Sequence, residues 1–201
     1  GTKRAIRAHA GRLTCVSAER IQMELTRLVT SPHPEYLRTA WETGITAVIL
    51  PEFDRLMETP QNNLHHCHNA GEHTLLAMQA APAEKTLRLA MLLHDFGKAQ
   101  CRTTDEAGVD HFRGHAQISR RMAFDVLKRL RYDNDTRDRV CALVAFHDTA
   151  VEPEIRAVRR AVSRMGTEIF EQLLLVKRAD LEAQSDYGRK EKQQWLDSLQ
   201  S

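Results

Sequence analysis

Six ionisable side chains in this 201-residue chain occupy places where the apolar face of a helix should continue. Leu87, Ala90, Met91 and His94 fall at i, i+3, i+4 and i+7, with Asp95 next at the helix end. His115 leads Ile118, Met122 and Val126; Val140, Leu143 and Val144 lead to His147; Ile169, Leu173 and Val176 lead to Asp180. His73 precedes Leu76 by three residues and Ala77 by four, which turns it the same way. A lone imidazolium or carboxylate is costly to bury, and a shared cation compensates all of them at once. A chain with this pattern therefore has to bring five helices to one polar centre. Four His and two Asp, with no Cys in phase, do not suit a closed structural zinc site. They suit Fe, Mn, Ni, Co or Zn in an open site, with magnesium as a further candidate. More ligands than one ion needs implies two divalent metal ions sharing a carboxylate, for which Asp95 is the natural bridge.

The rest of the pattern is helical. Aromatics are only 5% of the chain, and the apolar positions are mostly Leu, Ala, Val, Ile and Met, which predicts an all-α fold. Ile6, His9 and Leu13 share a helical face, and Ser17 offers an N-cap to a helix with Ile21, Leu25, Leu28 and Val29 inward. A third helix is expected from about Pro34 to Thr43, with Leu37, Ala40 and Trp41 inward and Gly44 ending it. The polar stretch from Glu58 to Gly71 reads as a loop. Helices follow over GEHTLLAMQAA and EKTLRLAMLLHD, then an irregular excursion or short hairpin from Phe96 to Gly114. Further helices are expected over about 115–131, 135–147, 153–164 with Pro153 at its first position, and 167–183, before a polar tail helix. The expected organisation is a neck-like helical section over 1–57, a metal-site domain over 58–184 and a tail over 185–201.

A net charge of +2 is too mild to announce a nucleic-acid binder. Cys15, Cys67, Cys101 and Cys141 form no C-x-x-C pair, and no apolar run approaches the length of a membrane span. These features predict a reduced, soluble, cytoplasmic protein with no membrane partner. The helical pattern runs straight on from Gly1, so the sequence is expected to begin inside a longer polypeptide.

The texts GEHTLLAM, LLHDFGK, FRGHAQIS, FHD and RAD, in the order H…HD…H…H…D, resemble the HD superfamily of metal-dependent phosphohydrolases. More narrowly, VSAERIQMELTRLV, ETGITAVILPEF, GEHTLLA and LLHDFGKAQ look like the C-terminal half of bacterial CCA-adding tRNA nucleotidyltransferases and their poly(A) polymerase relatives. This resemblance covers nearly the whole chain. It implies an HD-type helical bundle behind short neck helices. It also implies a first metal held by His73, His94, Asp95 and Asp180, and a second held by His115 and His147. The polymerising head of that family needs a Gly-Ser or Gly-Gly turn before an Asp-x-Asp pair, and no such turn occurs here, so this chain alone is not expected to add CCA.

The resemblance implies hydrolysis of phosphomonoesters or 2′,3′-cyclic phosphodiesters, with a phosphate ester or nucleotide as substrate. Coordination chemistry is consistent with it, since two metals flanking a water bring its pKa toward neutrality and offset charge on phosphoryl oxygens. Asp95 is the central catalytic candidate, and Lys98 and Arg113 are candidates to hold phosphate oxygens. The rival reading is a tRNA-binding body and tail with a secondary or vestigial metal site. It draws on Arg156, Arg160 and Arg164 along one helix face with Arg159 alongside, and on Lys3, Arg4, Arg7 and Arg12. The His-His-Cys-His run at 65–68 reads as a loop or lid rather than a metal cluster, and Cys101 lacks a nearby base to make it a nucleophile.

Overall fold

The computed structural model describes residues 1–62, 68–186 and 189–199. Its elements are α1 (Thr2–His9), a 3-10 segment (Ala10–Cys15), α2 (Ala18–Val29), a 3-10 turn (Pro34–Tyr36), α3 (Leu37–Glu42), α4 (Ile45–Ile49), α5 (Pro51–Met57) and α6 (Ala70–Ala80). They continue with α7 (Lys85–Leu93), α8 (Lys98–Cys101), β1 (Thr103–Thr104), β2 (Asp110–His111), α9 (His115–Arg129), α10 (Asn134–Phe146), α11 (Ile155–Met165), α12 (Thr167–Ala183) and α13 (Arg189–Ser198). The fold is all-α, as expected. The excursion after α7 contains the short antiparallel hairpin, with Thr103 opposite His111 and Thr104 opposite Asp110.

Helix starts follow their caps. The Ser17 hydroxyl accepts the Arg20 N–H, Asn69 Oδ1 accepts the Glu72 N–H at 2.7 Å, and the Glu84 carboxylate accepts the N–H groups of Thr86 and Leu87 at 3.0 and 2.9 Å. Two expectations need revising. The helix placed at 153–164 begins at Ile155, with Pro153 outside it, because its exposed start has no side-chain cap bond to hold another turn. The run after Leu50, given no helix in the sequence reading, forms α5 with Pro51 at its first position and Phe53, Leu56 and Met57 buried.

Helix α7 is the axis of the fold. The sequence pattern predicts one apolar stripe, yet every residue from Thr86 to Leu93 is buried, because α2, α6, α9, α10 and α12 all pack around it. Arg88 lies inside this packing with no carboxylate bound to it among the described residues. Its Nε donates to the carbonyls of Ala81 (2.9 Å) and Pro82 (3.2 Å), and its Nη1 donates to Val29 at the end of α2 (3.2 Å). Those bonds engage the buried guanidinium and tie the N-terminal helices to the central one. Helix α12 has two apolar faces: Leu173, Val176, Ala179 and Ala183 enter the main core, while Phe170, Leu174 and Leu181 pack with Val151, Leu196 and Leu199 in a second cluster. That second cluster seats α13 on α12.

Asp133 gives a test of how the helices are started. Its carboxylate accepts the N–H and hydroxyl of Thr136 at 2.8 and 2.7 Å, and these bonds lower its pKa from 3.8 to about 2. The capping contribution is thus present above about pH 4 and is lost as pH falls through about 2. Asp133→Ala is expected to lower unfolding free energy by about 1 kcal/mol at pH 7. In urea titrations the gap between wild type and variant should close as pH falls from 4 toward 2.

Candidate metal centre

The six in-phase residues meet at one buried point. His73 comes from the first turns of α6, His94 and Asp95 follow α7, His115 opens α9, His147 follows α10, and Asp180 lies in the last turn of α12. His73, His94, Asp95, His115 and His147 are buried. Asp180 closes one side, with His73 Nε2 2.8 Å from its Oδ1 and His94 Nε2 3.6 Å from the same atom. His115 Nε2 and His147 Nε2 stand 3.1 Å apart, and they lie 3.3 and 3.9 Å from Asp95 Oδ1. The ligand-type atoms form two compact groups, His73–His94–Asp95 and Asp95–His115–His147, which share Asp95.

The orientation of the rings is set by backbone. Each of the four histidines has its Nδ1 at a main-chain carbonyl: Ala183 for His73 (3.3 Å), Met91 for His94 (2.6 Å), Phe112 for His115 (2.9 Å) and Val144 for His147 (2.7 Å). Three of these carbonyls lie three residues before the histidine. At His94 and His147 they belong to the last turn of a helix, whose carbonyls lack intrahelical partners, so the imidazole satisfies the helix end and is held by it. An Nδ1–H donated to a carbonyl leaves the Nε2 lone pair facing the cluster, the arrangement that a metal-ligating histidine requires.

Two buried atoms in the cluster have no hydrogen bond among the described residues: His94 Nε2 and Asp95 Oδ2. They lie 3.1 Å apart, and Lys98 Nζ sits 2.7 Å from Asp95 Oδ2, but neither contact has the angles of a hydrogen bond. Two buried polar atoms that face each other without a hydrogen bond fit a shared cation. Burial opposes charge on Asp95 and Asp180, yet neighbouring His94 and Lys98 for the first, and His73 and His94 for the second, hold both carboxyls well below the ordinary range. His94 is also opposed by burial, but Asp95 and Asp180 lift it to about 10, whereas burial and the cationic His94 push His147 down to about 3. A proton on His94 and a metal ion at its Nε2 thus compete for one position.

Beyond the six, Lys98 is buried, with its ammonium donating to Gln61 Oε1 at 2.6 Å and lying 5.3 Å from the centre of the Phe112 ring. Arg113 is exposed at the mouth of a cavity of about 300 Å³ that opens onto Asp95, His115, His147 and Asp180. Sequence reasoning passed over three supporting residues. Gln61 holds Lys98, Gln184 donates to Asp180 Oδ2 at 2.8 Å, and Lys177 donates to the His147 carbonyl at 2.6 Å. Only Gln184 had a readable signal, four residues after Asp180 on one helix face. Of the His-rich run, residues 65–67 lie outside the described residues, and His68 is exposed. Cys101 donates to the Gly97 carbonyl and its thiol pKa is raised by burial, which does not favour a nucleophile.

Residues 64–184 match the family model described as "HD domain". The chain belongs to the HD domain family. Ahead of the HD domain, residues 1–57 match a second model, "Probable RNA and SrmB-binding site of polymerase A". The chain is 37% identical over 166 residues to a CC-adding tRNA nucleotidyltransferase of Thermus thermophilus, covering 78% of this chain and 37% of that protein. It is 35% identical over 181 residues to a multifunctional CCA protein of Halorhodospira halophila, covering 85% of this chain and 40% of that protein. It therefore spans well under half the length of these curated relatives. Among the described residues, no helix is long and apolar enough to cross a membrane.

The Asp-Phe-Gly-Lys text of the HD domain is explained by a close approach. A Cβ on Gly97 would stand 2.5 Å from the His115 carbonyl oxygen and 2.8 Å from the Ser119 nitrogen, while the Gly97 N–H itself donates to Ser119 Oγ at 2.9 Å. Only a glycine lets the turn after Asp95 lie against the first turns of α9. Gly97→Ala is expected to push His115 away from Asp95 and to cost about 1–3 kcal/mol in urea unfolding. The same variant should bind divalent metal more weakly than wild type in calorimetric titration.

Proposed function

We propose that the chain is a metal-dependent phosphohydrolase of the HD type, acting on phosphomonoesters or 2′,3′-cyclic phosphodiesters, and that it forms the C-terminal part of a tRNA nucleotidyltransferase-like protein. The observation that carries this reading is the set of four Nε2 atoms, each with its ring anchored through Nδ1, gathered around the shared carboxylate of Asp95. In this reading residues 1–57 are a neck-like section, 58–184 the HD domain and 185–201 a tail. His73, His94, Asp95 and Asp180 would hold one divalent ion, and Asp95, His115 and His147 a second. Fe, Mn, Ni, Co and Zn all suit this mixed imidazole and carboxylate set. When bound, such ions lower the pKa of a shared water and offset charge on the phosphoryl oxygens.

The protein's own groups then have defined tasks. Asp95 orients both halves of the cluster, and Lys98, fixed by Gln61, keeps the buried Asp95 carboxylate ionised. Gln184 fixes the rotamer of Asp180. Arg113 at the cavity mouth holds an incoming phosphoryl group by charge-assisted hydrogen bonds. No side chain is needed as a nucleophile.

Purified wild type is expected to carry transition metal by elemental analysis and to hydrolyse 2′,3′-cyclic AMP and p-nitrophenyl phosphate, with loss of activity on chelation and recovery on adding metal back. Asp95→Ala should lose the metal and about 100-fold or more of the activity. A wild type that binds no metal and turns over neither ester rules the reading out.

A second function rests on a different surface. Arg156, Arg159, Arg160 and Arg164 are exposed along α11, and none of the four makes an ion pair among the described residues. With the RNA-binding match over residues 1–57, this stripe supports tRNA as a partner. At the N-terminus the charge is less available, since Lys3 pairs with Glu42 and Arg7 donates to the Glu42 carbonyl. The double variant Arg156→Glu, Arg160→Glu is expected to weaken tRNA binding and to reduce the salt slope of log K by about 1 for each arginine lost. Filter binding from low to moderate salt measures it, and an unchanged slope would remove the stripe from the interface.

A further inference from the structure

The hairpin beside the candidate metal centre is fastened to the segment after α5 around one buried side chain, Asp110. Asp110 Oδ2 accepts the Asn62 N–H at 2.8 Å, while Oδ1 accepts the Thr104 hydroxyl at 2.7 Å and lies 3.0 Å from Arg102 Nε. The Asp110 N–H donates in turn to the Asn62 carbonyl at 2.9 Å, and Asn62 Nδ2 donates to the Gly108 carbonyl at 2.6 Å. The tip of the hairpin is ordered by a different carboxylate. Asp105 Oδ1 accepts the N–H groups of Ala107 and Val109 at 3.0 and 2.9 Å, and its Oδ2 lies 2.8 Å from His111 Nε2. Asp105 thus closes the turn, and Asp110 places it on the fold.

Both oxygens of Asp95 lead back to this joint. On one side Gln61, the neighbour of Asn62, accepts Lys98 Nζ at 2.6 Å, and that ammonium lies 2.7 Å from Asp95 Oδ2. On the other side β2 runs into Phe112, whose carbonyl accepts the His115 N–H at 3.2 Å and lies 2.9 Å from His115 Nδ1. His115 Nε2 then stands 3.3 Å from Asp95 Oδ1. The two arms meet again where Lys98 Nζ lies 5.3 Å from the centre of the Phe112 ring. Gln61 and Asn62 belong to no helix or strand, so bonds from outside the segment fix its path. Removing the Asp110 carboxylate would leave the Asn62 N–H, the Thr104 hydroxyl and Arg102 Nε without that acceptor.

We propose that Asp110 is a positioning residue for the metal centre: by holding the hairpin on residues 61–62 it sets His115 on one side of Asp95 and Lys98 on the other. Its effect on metal affinity rests on the reading of the six residues as ligands. Its effect on the His115 ring does not.

In metal-free, isotope-labelled full-length protein at mildly alkaline pH, nitrogen–proton correlation spectra show which ring nitrogen of each histidine carries the proton. His115 is expected as the Nδ1–H tautomer in wild type, because the Phe112 carbonyl takes that proton. Asp110→Ala should replace it with a mixture of tautomers, and Asp110→Asn, which keeps an acceptor for the Asn62 N–H, should restore most of the wild-type signature. Asp133→Ala removes a cap at the end of α10 opposite His147 and controls for a general loss of stability. An unchanged His115 in Asp110→Ala, or an equal change in Asp133→Ala, would overturn the proposal. Should Asp110→Ala fail to fold, Arg102→Ala removes only one partner of the carboxylate, and no shift of the His115 signature there would overturn it equally. In titrations with cobalt(II), Asp110→Ala is expected to bind about tenfold more weakly than wild type, with Asp110→Asn between them. Equal affinities would also count against it. A wild type that binds no cobalt(II), together with a His115 tautomer that responds to Asp110→Ala, would retain the positioning role and remove the phosphohydrolase reading.

Discussion

The carboxylate of Asp95 is buried at the end of the most deeply buried helix, and most of the bundle is arranged around that charge. A buried carboxylate is tolerated only when opposite charge and hydrogen-bond donors or a cation surround it. His94 and Lys98 come from its own turn, His115 and His147 from α9 and α10, and His73 and Asp180 from the α6–α12 pair. The helix pairs that pack most extensively, α9 with α10 and α6 with α12, are those that each bring two members of the cluster. Packing and electrostatics therefore impose the same arrangement, which is what a unique native state requires.

The backbone supplies the precision. Helix ends normally leave carbonyls unpaired, and here α7 and α10 each end on a histidine that takes one of those carbonyls through Nδ1. Ring orientation is thus fixed by main chain, which is stiffer than a second side chain. The same economy appears at Arg88, a buried cation that donates to carbonyls from α2 and from the turn before α7. Through that residue the N-terminal section is joined to the helix that carries the centre.

Charge elsewhere is segregated by task. The interior cluster is balanced among its own His, Asp and Lys groups, and the arginines of α11, which make no ion pair among the described residues, lie on the outer surface. A net charge of +2 conceals this, because a whole-chain sum cannot separate a local basic stripe from acidic groups consumed inside the fold.

By itself the sequence determined the helical class and most helix positions, and it singled out the six side chains that the fold brings together, because helical periodicity and the cost of burying charge are local properties of the chain. His94, His147 and Asp180 were legible as continuations of apolar stripes, and the Ser17 cap as a side chain one residue before its helix. It did not reveal that α7 is buried on all faces, since a stripe reports one contact and not the number of neighbours. Nor did it reveal Gln61 and Lys177, whose partners lie 37 and 30 residues away. The carbonyl anchors of the rings and the contact that requires Gly97 were decided by tertiary structure alone. Each depends on the distance between segments remote in sequence, and spacing within one helix carries no information about that distance.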